Sequence, residues 1–339
     1  MNKIFTSRHL GIVLSGVIAF ALLAAVFLAP EAPPIDDMDG LLIVMGGMIV
    51  NRENLGTMFV GFQTAFNEAF GGVAPMWSKV ATRVPSKTKV EQYGWLGEFP
   101  QLREWIGDRQ VKSLAASGYQ IENKKWESSI GIPRDDIEDD SYGIFSTLFA
   151  SMGHAAASHP DELVFPLLAA GFSTPCFDEQ YFFDTDHPVG AGVVSNSGGG
   201  SGSPWFLLDT SRPLRPVIFQ DRRKYALTAM TDLKDEGVWM RDEYRYGVDA
   251  RANVGYGFWQ MAYGSKQTLD ATSFGAARTA MQSFKSDAGR PLGIRPTLLV
   301  VAPSNQAAGE ALIEASILAS GASNTLYKAV ELYVCPWLT

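Results

Sequence analysis

From residue 48 onward, apolar positions change period several times, and each period predicts an element. Leu55, Phe59, Phe62, Phe66 and Phe70 recur at helical spacing before Gly71-Gly72, which predicts an amphipathic helix with an aromatic stripe. Such a stripe is commonly ordinary core. In a protein that assembles it is an arm lying on a neighbouring subunit, with Phe59, Phe62 and Phe66 as its contacts. Residues 87–93 alternate as a strand does, and Tyr119-Gln120-Ile121 and residues 126–130 suit a returning strand. Residues 141–158 carry Tyr142, Ile144, Phe145, Leu148, Phe149 and Met152 on one face and predict a long helix. His159-Pro160 predicts its end, and Asp161-Glu162 the start of another helix running to Gly171. Short apolar strands follow at 205–209, 217–220 and 225–230, and aromatic strands at 244–251 and 254–263, with a turn at 232–237 between the two groups. A helix around Phe274, Ala277, Met281 and Phe284, a buried strand at 297–301, a helix capped by Ser304 and running to Leu318, and a strand at 329–334 close the chain. Helices and strands interleave without repeat or clear linker, so the expected class is α+β.

One stretch, residues 93–140, departs from this regularity. Trp95, Phe99, Trp105 and Trp126 alternate there with charges and glycines, and no nucleophile, phosphate loop or metal cage accompanies them. Apolar groups on a projecting arm need a neighbour to cover them, so these four are expected at contacts between subunits. The acidic run at 135–140 would suit a hard cation, but it stands directly before a helix, where carboxylates cap the first turn and meet the positive end of the macrodipole. The helix start is the reading adopted.

Composition narrows the function classes. With 339 residues, 46% of them hydrophobic and 12% aromatic, the chain can bury a sizeable core. A formal charge of -8 argues against a basic face that grips nucleic acid, while an acidic shell that merely encloses it remains open. The two cysteines, Cys176 and Cys335, are too few for a disulfide framework or a cysteine-rich zinc site.

Candidate chemistry is sparse. Asp184, Asp186 and His187 place two carboxylates and an imidazole within four residues, the pattern a metal-dependent hydrolase would use, although a loop whose Asp and His side chains bond the backbone has the same look. His154 has no second ligand at metal-binding spacing on its face. The glycine- and serine-rich run at 195–203 reads as a flexible loop, without the lysine of a phosphate-binding loop. Arg222-Arg223-Lys224 reads as a solvent-facing or subunit-contact cluster.

Residues 1–47 stand apart. Lys3 and Arg8 precede an apolar run at 10–29, which taken literally is a signal peptide or a membrane span. A membrane-anchored or secreted α+β protein is therefore an alternative. The reading adopted is that translation begins at Met48 and the upstream hydrophobic extension is a misannotated start.

Several blocks resemble the Mu-like phage major head subunit family over the length from Met48 onward. They include Tyr93-Gly94-Trp95-Leu96-Gly97, Phe99-Pro100, Arg103-Glu104-Trp105, Arg134-Asp135-Asp136, Pro160-Asp161-Glu162-Leu163, Phe183-Asp184 with His187-Pro188, Ile218-Phe219-Gln220, Tyr256-Gly257-Phe258-Trp259-Gln260 and Arg290-Pro291-Leu292-Gly293-Ile294. Proteins of that family start close to where Met48 stands. The resemblance implies a Hong Kong 97-type capsid fold: an N-terminal arm at 48–86, an extended loop at 87–132, and interleaved peripheral and axial domains at 133–339, with 141–158 as the spine helix. It further implies a major capsid protein that self-assembles through pentamers and hexamers into an icosahedral shell around phage DNA. Scaffold, head protease and portal proteins are the expected partners. The resemblance carries no catalytic residue, cofactor or metal.

Overall fold

The computed structural model describes residues 52–96, 118–138 and 142–338. The expectations for residues 1–47, for Phe99 and for Trp105 lie outside them. In chain order the elements are α1 (Arg52–Gly72), α2 (Trp77–Val80), β1 (Ala81–Pro85), β2 (Val90–Gln92), β3 (Gln120–Glu122), β4 (Lys124–Pro133), α3 (Arg134–Glu138) and α4 (Tyr142–Ala170). Next come β5 (His187–Val189), β6 (Gly192–Val194), β7 (Ser197–Gly200), β8 (Trp205–Leu208), β9 (Val217–Met230), α5 (Glu236–Arg241) and β10 (Glu243–Tyr256). The chain ends with β11 (Ala262–Lys266), α6 (Ala271–Gln282), β12 (Leu298–Val301), α7 (Gln306–Gly309) and β13 (Glu331–Val334).

Two sheets organise these elements. The first runs β1-β9-β10-β4, with β1 parallel to β9 and the other pairs antiparallel. Along β10 the inward positions Tyr244, Tyr246, Val248, Ala250 and Ala252 are buried and their neighbours half-buried, the period of two that a one-sided sheet requires. Helices α1 and α4 cover that inward face. Phe62 stacks on Phe149 at 4.4 Å between ring centroids and meets Tyr246 edge-on at 5.5 Å. Gly153 allows α1 to lie this close, because a Cβ there would stand 2.3 Å from the backbone oxygen of Phe66. The second sheet runs β13-β12-β8-β11-β7. Trp205-Phe206-Leu207-Leu208 in β8 and Leu298-Leu299-Val300-Val301 in β12 are buried at every position, which explains their unbroken apolar runs. One hydrophobic cluster, around Phe62, Phe149 and Tyr246, lies under the first sheet; the larger one joins the second sheet to β1, the start of β9 and the end of β10.

Four expectations are corrected here. The long helix does not stop at His159-Pro160: α4 continues for 29 residues with Pro160 and Pro166 inside it. Burial of Val164, Phe165 and Leu168 holds the second half in line, and the Asp161 carboxylate accepts the N–H groups of Trp77 at 2.6 Å and Met76 at 3.2 Å. Packing of this kind overrides a local helix breaker. The strands expected at 217–220 and 225–230 form one, β9, and Arg222-Arg223-Lys224 lies within it, at an irregularity where β9 and β10 slip register. The glycine-rich run holds an edge strand, β7, where Gly200 at φ +92° rests against the backbone of Lys266 and Gln267. Ser304 caps nothing; its hydroxyl bonds that of Ser203, and the last helix is short, continuing past α7 only as a π-turn over Glu310–Glu314.

Candidate functional site

Strands β2 and β3 form a hydrogen-bonded neck against the first sheet. They pair antiparallel, Val90 opposite Glu122 and Gln92 opposite Gln120, while residues 126–130, expected in the same returning strand, lie in β4 beside β10. Three side chains fix this neck to β9 and β10. The Tyr93 hydroxyl donates to Gln220 Oε1 at 2.7 Å, Gln220 Nε2 donates to the Ile121 carbonyl at 3.2 Å, and the Tyr119 hydroxyl accepts the Tyr256 N–H at 2.6 Å. Burial pushes the Tyr119 phenol up to about 12, so it stays protonated. On the solvent side Glu91 accepts the N–H groups of Lys87 at 2.7 Å and Thr88 at 2.9 Å and the hydroxyl of Ser86, which together lower its carboxyl to about 2. Asn123, one residue past β3, is buried and donates to Ser86 Oγ at 2.7 Å, so it is occupied by the turn.

The aromatic residues expected at contacts separate into groups. Phe62 and Phe66 are 3% and 2% exposed within their own chain and belong to the core beneath the first sheet. Phe59, Trp95 and Trp126 are half-buried. Trp95 leans on Tyr93 and Phe258, and Trp126 donates its indole N–H to the Ala252 carbonyl at 3.0 Å while meeting His159 edge-on. Sequence reading missed a further group at the far end of the β9–β10 hairpin. Met230, Leu233, Trp239 and Met240 are 51%, 54%, 81% and 70% exposed there. The available signal was Trp239-Met240 set among charges, between the turn read at 232–237 and the strand read from 244.

Asp184, Asp186 and His187 do not converge. Neighbours in extended backbone face opposite ways, and Asp186 is exposed while His187 is fully buried. Asp184 is spent on the N–H groups of Tyr181 and Thr185. His187 instead turns inward, its Nδ1 2.7 Å from Asp178 Oδ2 and its Nε2 3.1 Å from Asn196 Oδ1, and lies flat on Trp259 at 4.0 Å. The Asn196 amide cannot flip, because its Nδ2 donates to the carbonyls of Phe182, Trp259 and Ala262. Burial works to raise the Asp178 carboxyl, but hydrogen bonds from His187 and Cys176 overcome it and hold it below the usual carboxylate range. Among the described residues, Cys176, Asp178 and His187 bring three potential ligand atoms within 4.8 Å of one another. They already satisfy each other, with Cys176 Sγ donating to Asp178 Oδ1 at 3.0 Å, so the cluster is a buried clamp holding the 176–196 segment to Trp259. Among the described residues no helix is long and apolar enough to cross a membrane.

The model for the Mu-like prophage major head subunit gpT matches residues 55–338. The chain belongs to that family. The major capsid protein of Escherichia phage Mu is 39% identical over 305 residues, covering 86% of this chain and all of that one. The Mu-like prophage FluMu major head subunit of Haemophilus influenzae is 45% identical over 274 residues, covering 77% of this chain and 89% of that one. Among solved structures, the bacteriophage JBD30 procapsid protein superposes with a TM-score of 0.78 at 46% identity, over 85% of this chain and 100% of that chain. The JBD30 capsid gives 0.70 at 34% identity, over 86% and 100%. This Mu-like head subunit is a major capsid protein of the phage head with the Hong Kong 97-type α+β fold.

Proposed function

We propose that copies of this chain join into pentamers and hexamers and close an icosahedral shell around DNA, with the segment carried by the β2–β3 neck lying over an adjacent subunit. The single observation behind this reading is the superposition over the whole of a shell-forming relative's chain. In it residues 48–86 act as the N-terminal arm and 87–132 as the extended loop. The body at 133–339, whose first sheet is completed by β1 and β4, divides into a peripheral part around that sheet and an axial part around the second. Phe59, Trp95 and Trp126 keep surface for a neighbour, and Phe99 and Trp105 are assigned to the same contact; Phe62 and Phe66 serve the subunit itself. Apolar area covered on assembly contributes about 25 cal/mol per Å², so modest contacts repeated around a closed shell sum to a stable container. An acidic subunit leaves enclosed DNA free of tight phosphate contacts. The reading assigns no catalytic residue and no cofactor; scaffold, head protease and portal proteins are its expected partners.

Electron microscopy of particles made by the chain together with the products of neighbouring genes tests the reading. Closed shells are the expected result. A monodisperse monomer under all assembly conditions would overturn it.

A further inference from the structure

The chain carries an exposed apolar hairpin tip and, elsewhere, an apolar cleft. At the tip, Val238 turns inward and is 5% exposed, while the next two residues, Trp239 and Met240, point outward at 81% and 70%. Adjacent helical positions do not share a face, so packing Val238 of α5 commits Trp239 to the outside. Four large apolar side chains within eleven residues of one hairpin end form a patch that soluble proteins normally cover.

The cleft lies between α4 and the first sheet, with a cavity of about 190 Å³ walled by Trp126, Met152, Ala156 and Val248. An apolar cavity of ~150 Å³ is enough to admit benzene, so an aromatic ring can enter this one. Glu127 and Glu162 stand exposed among the lining residues, and Arg241 stands exposed two residues from Trp239. The chain cannot fill its own cleft with its own tip. Val248 is five positions along β10 from Glu243, about 17 Å at ~3.4 Å per residue, and β10 is held by β9 on one side and β4 on the other.

We propose that Trp239 of one copy inserts into the α4–sheet cleft of another, with Arg241 meeting Glu127 or Glu162 at the mouth. Knob and socket are different patches of one chain, so the contact is heterologous and propagates from copy to copy, as a shell requires. This inference rests on the shell reading above and adds the partner surface to it. Interfaces concentrate their energy in buried aromatic residues with arginine beside them, which is the composition of this tip.

The test is cysteine pairing in assembled particles of the full chain. The native Cys176 and Cys335 are buried, so background cross-linking is low. Particles of the double variant Trp239→Cys with Ala155→Cys, the latter exposed beside the cleft, should give disulfide-linked dimers and higher ladders on oxidation, with neither single variant doing so. Trp239→Ala, at an exposed position that the fold does not need, should leave the subunit's melting unchanged and raise the concentration needed for assembly ~10-fold or more. Intact particles without a ladder would overturn the inference and leave the shell reading standing. A ladder from Trp239→Cys alone would also overturn it, since tips would then meet tips. Failure of the unaltered chain to form any particle would remove the shell reading itself.

Discussion

At the scale of single residues, the aromatic stripe of α1 is a matter of subunit stability. Phe62 is enclosed by Phe149 and Tyr246, and truncating a buried phenylalanine costs both transfer energy and a cavity. Phe62→Ala is expected to destabilise the subunit by about 3–5 kcal/mol in denaturant titration. Gly153→Ala should also be costly, because the new Cβ meets backbone at Phe66 and the helices must part. The clamp at His187 behaves differently from a catalytic group. Replacing Asp178 by Asn takes the carboxylate acceptor from buried His187 Nδ1 and from Cys176 Sγ, and about 1–3 kcal/mol of stability should be lost. Asp186→Ala, on the exposed side of the same strand start, should change stability by no more than ~0.5 kcal/mol. Thermal melting of the two variants checks the contrast, and equal sensitivity would mean that the outward and inward assignments are wrong.

At the scale of elements, the neck is where a charge governs geometry. Glu91 holds the turn before β2 through three donors, and its carboxyl falls from an ordinary 4.5 to about 2 in the folded chain. A depressed carboxyl stabilises the folded form above its unfolded value and loses that contribution as pH falls through the folded one. The stabilisation is therefore present above pH ~4.5 and lost between there and pH ~2. Glu91→Gln should flatten that part of the stability profile; an unchanged acid limb would show that the turn does not depend on the carboxylate. Elements such as this neck were legible because their signals are local: alternation at residues 87–93, a helical stripe in α1, an apolar run in β12. The errors arose where distant packing outweighed local chemistry. Pro160 reads as a stop, yet α2 and the second sheet hold α4 through it. The glycines at 198–200 read as freedom, yet they let β7 lie against Lys266. Asp184, Asp186 and His187 are adjacent in sequence, and nothing in their order reveals that His187 turns toward Asp178 nine residues back. Trp239, between the expected turn and the next strand, escaped notice because exposure is a property of what fails to pack against a residue.

At the scale of the whole molecule, the fold separates what a subunit needs from what a shell needs. Among the described residues, Tyr93, Leu96 and Ile121 are buried in the larger hydrophobic cluster at the base of the neck. Strands β2 and β3 hydrogen-bond to each other through Gln92 and Gln120, so their continuations start as neighbours and a short bridge can join them. Closing a shorter loop is also entropically cheaper. Replacing residues 98–116 with a short Gly–Ser linker should therefore give a subunit whose melting temperature and circular dichroism match those of the full chain. The same variant loses Phe99 and Trp105, the aromatic residues assigned to a neighbouring subunit, and should fail to form shells in a light-scattering or electron-microscopy assay. The two readouts must come apart. If the shortened chain assembles normally, the segment is not the overlapping loop, and closure must rest on the arm and the hairpin tip. If it fails to fold, the neck draws stability from the segment beyond it, and assembly cannot be separated from folding in this subunit.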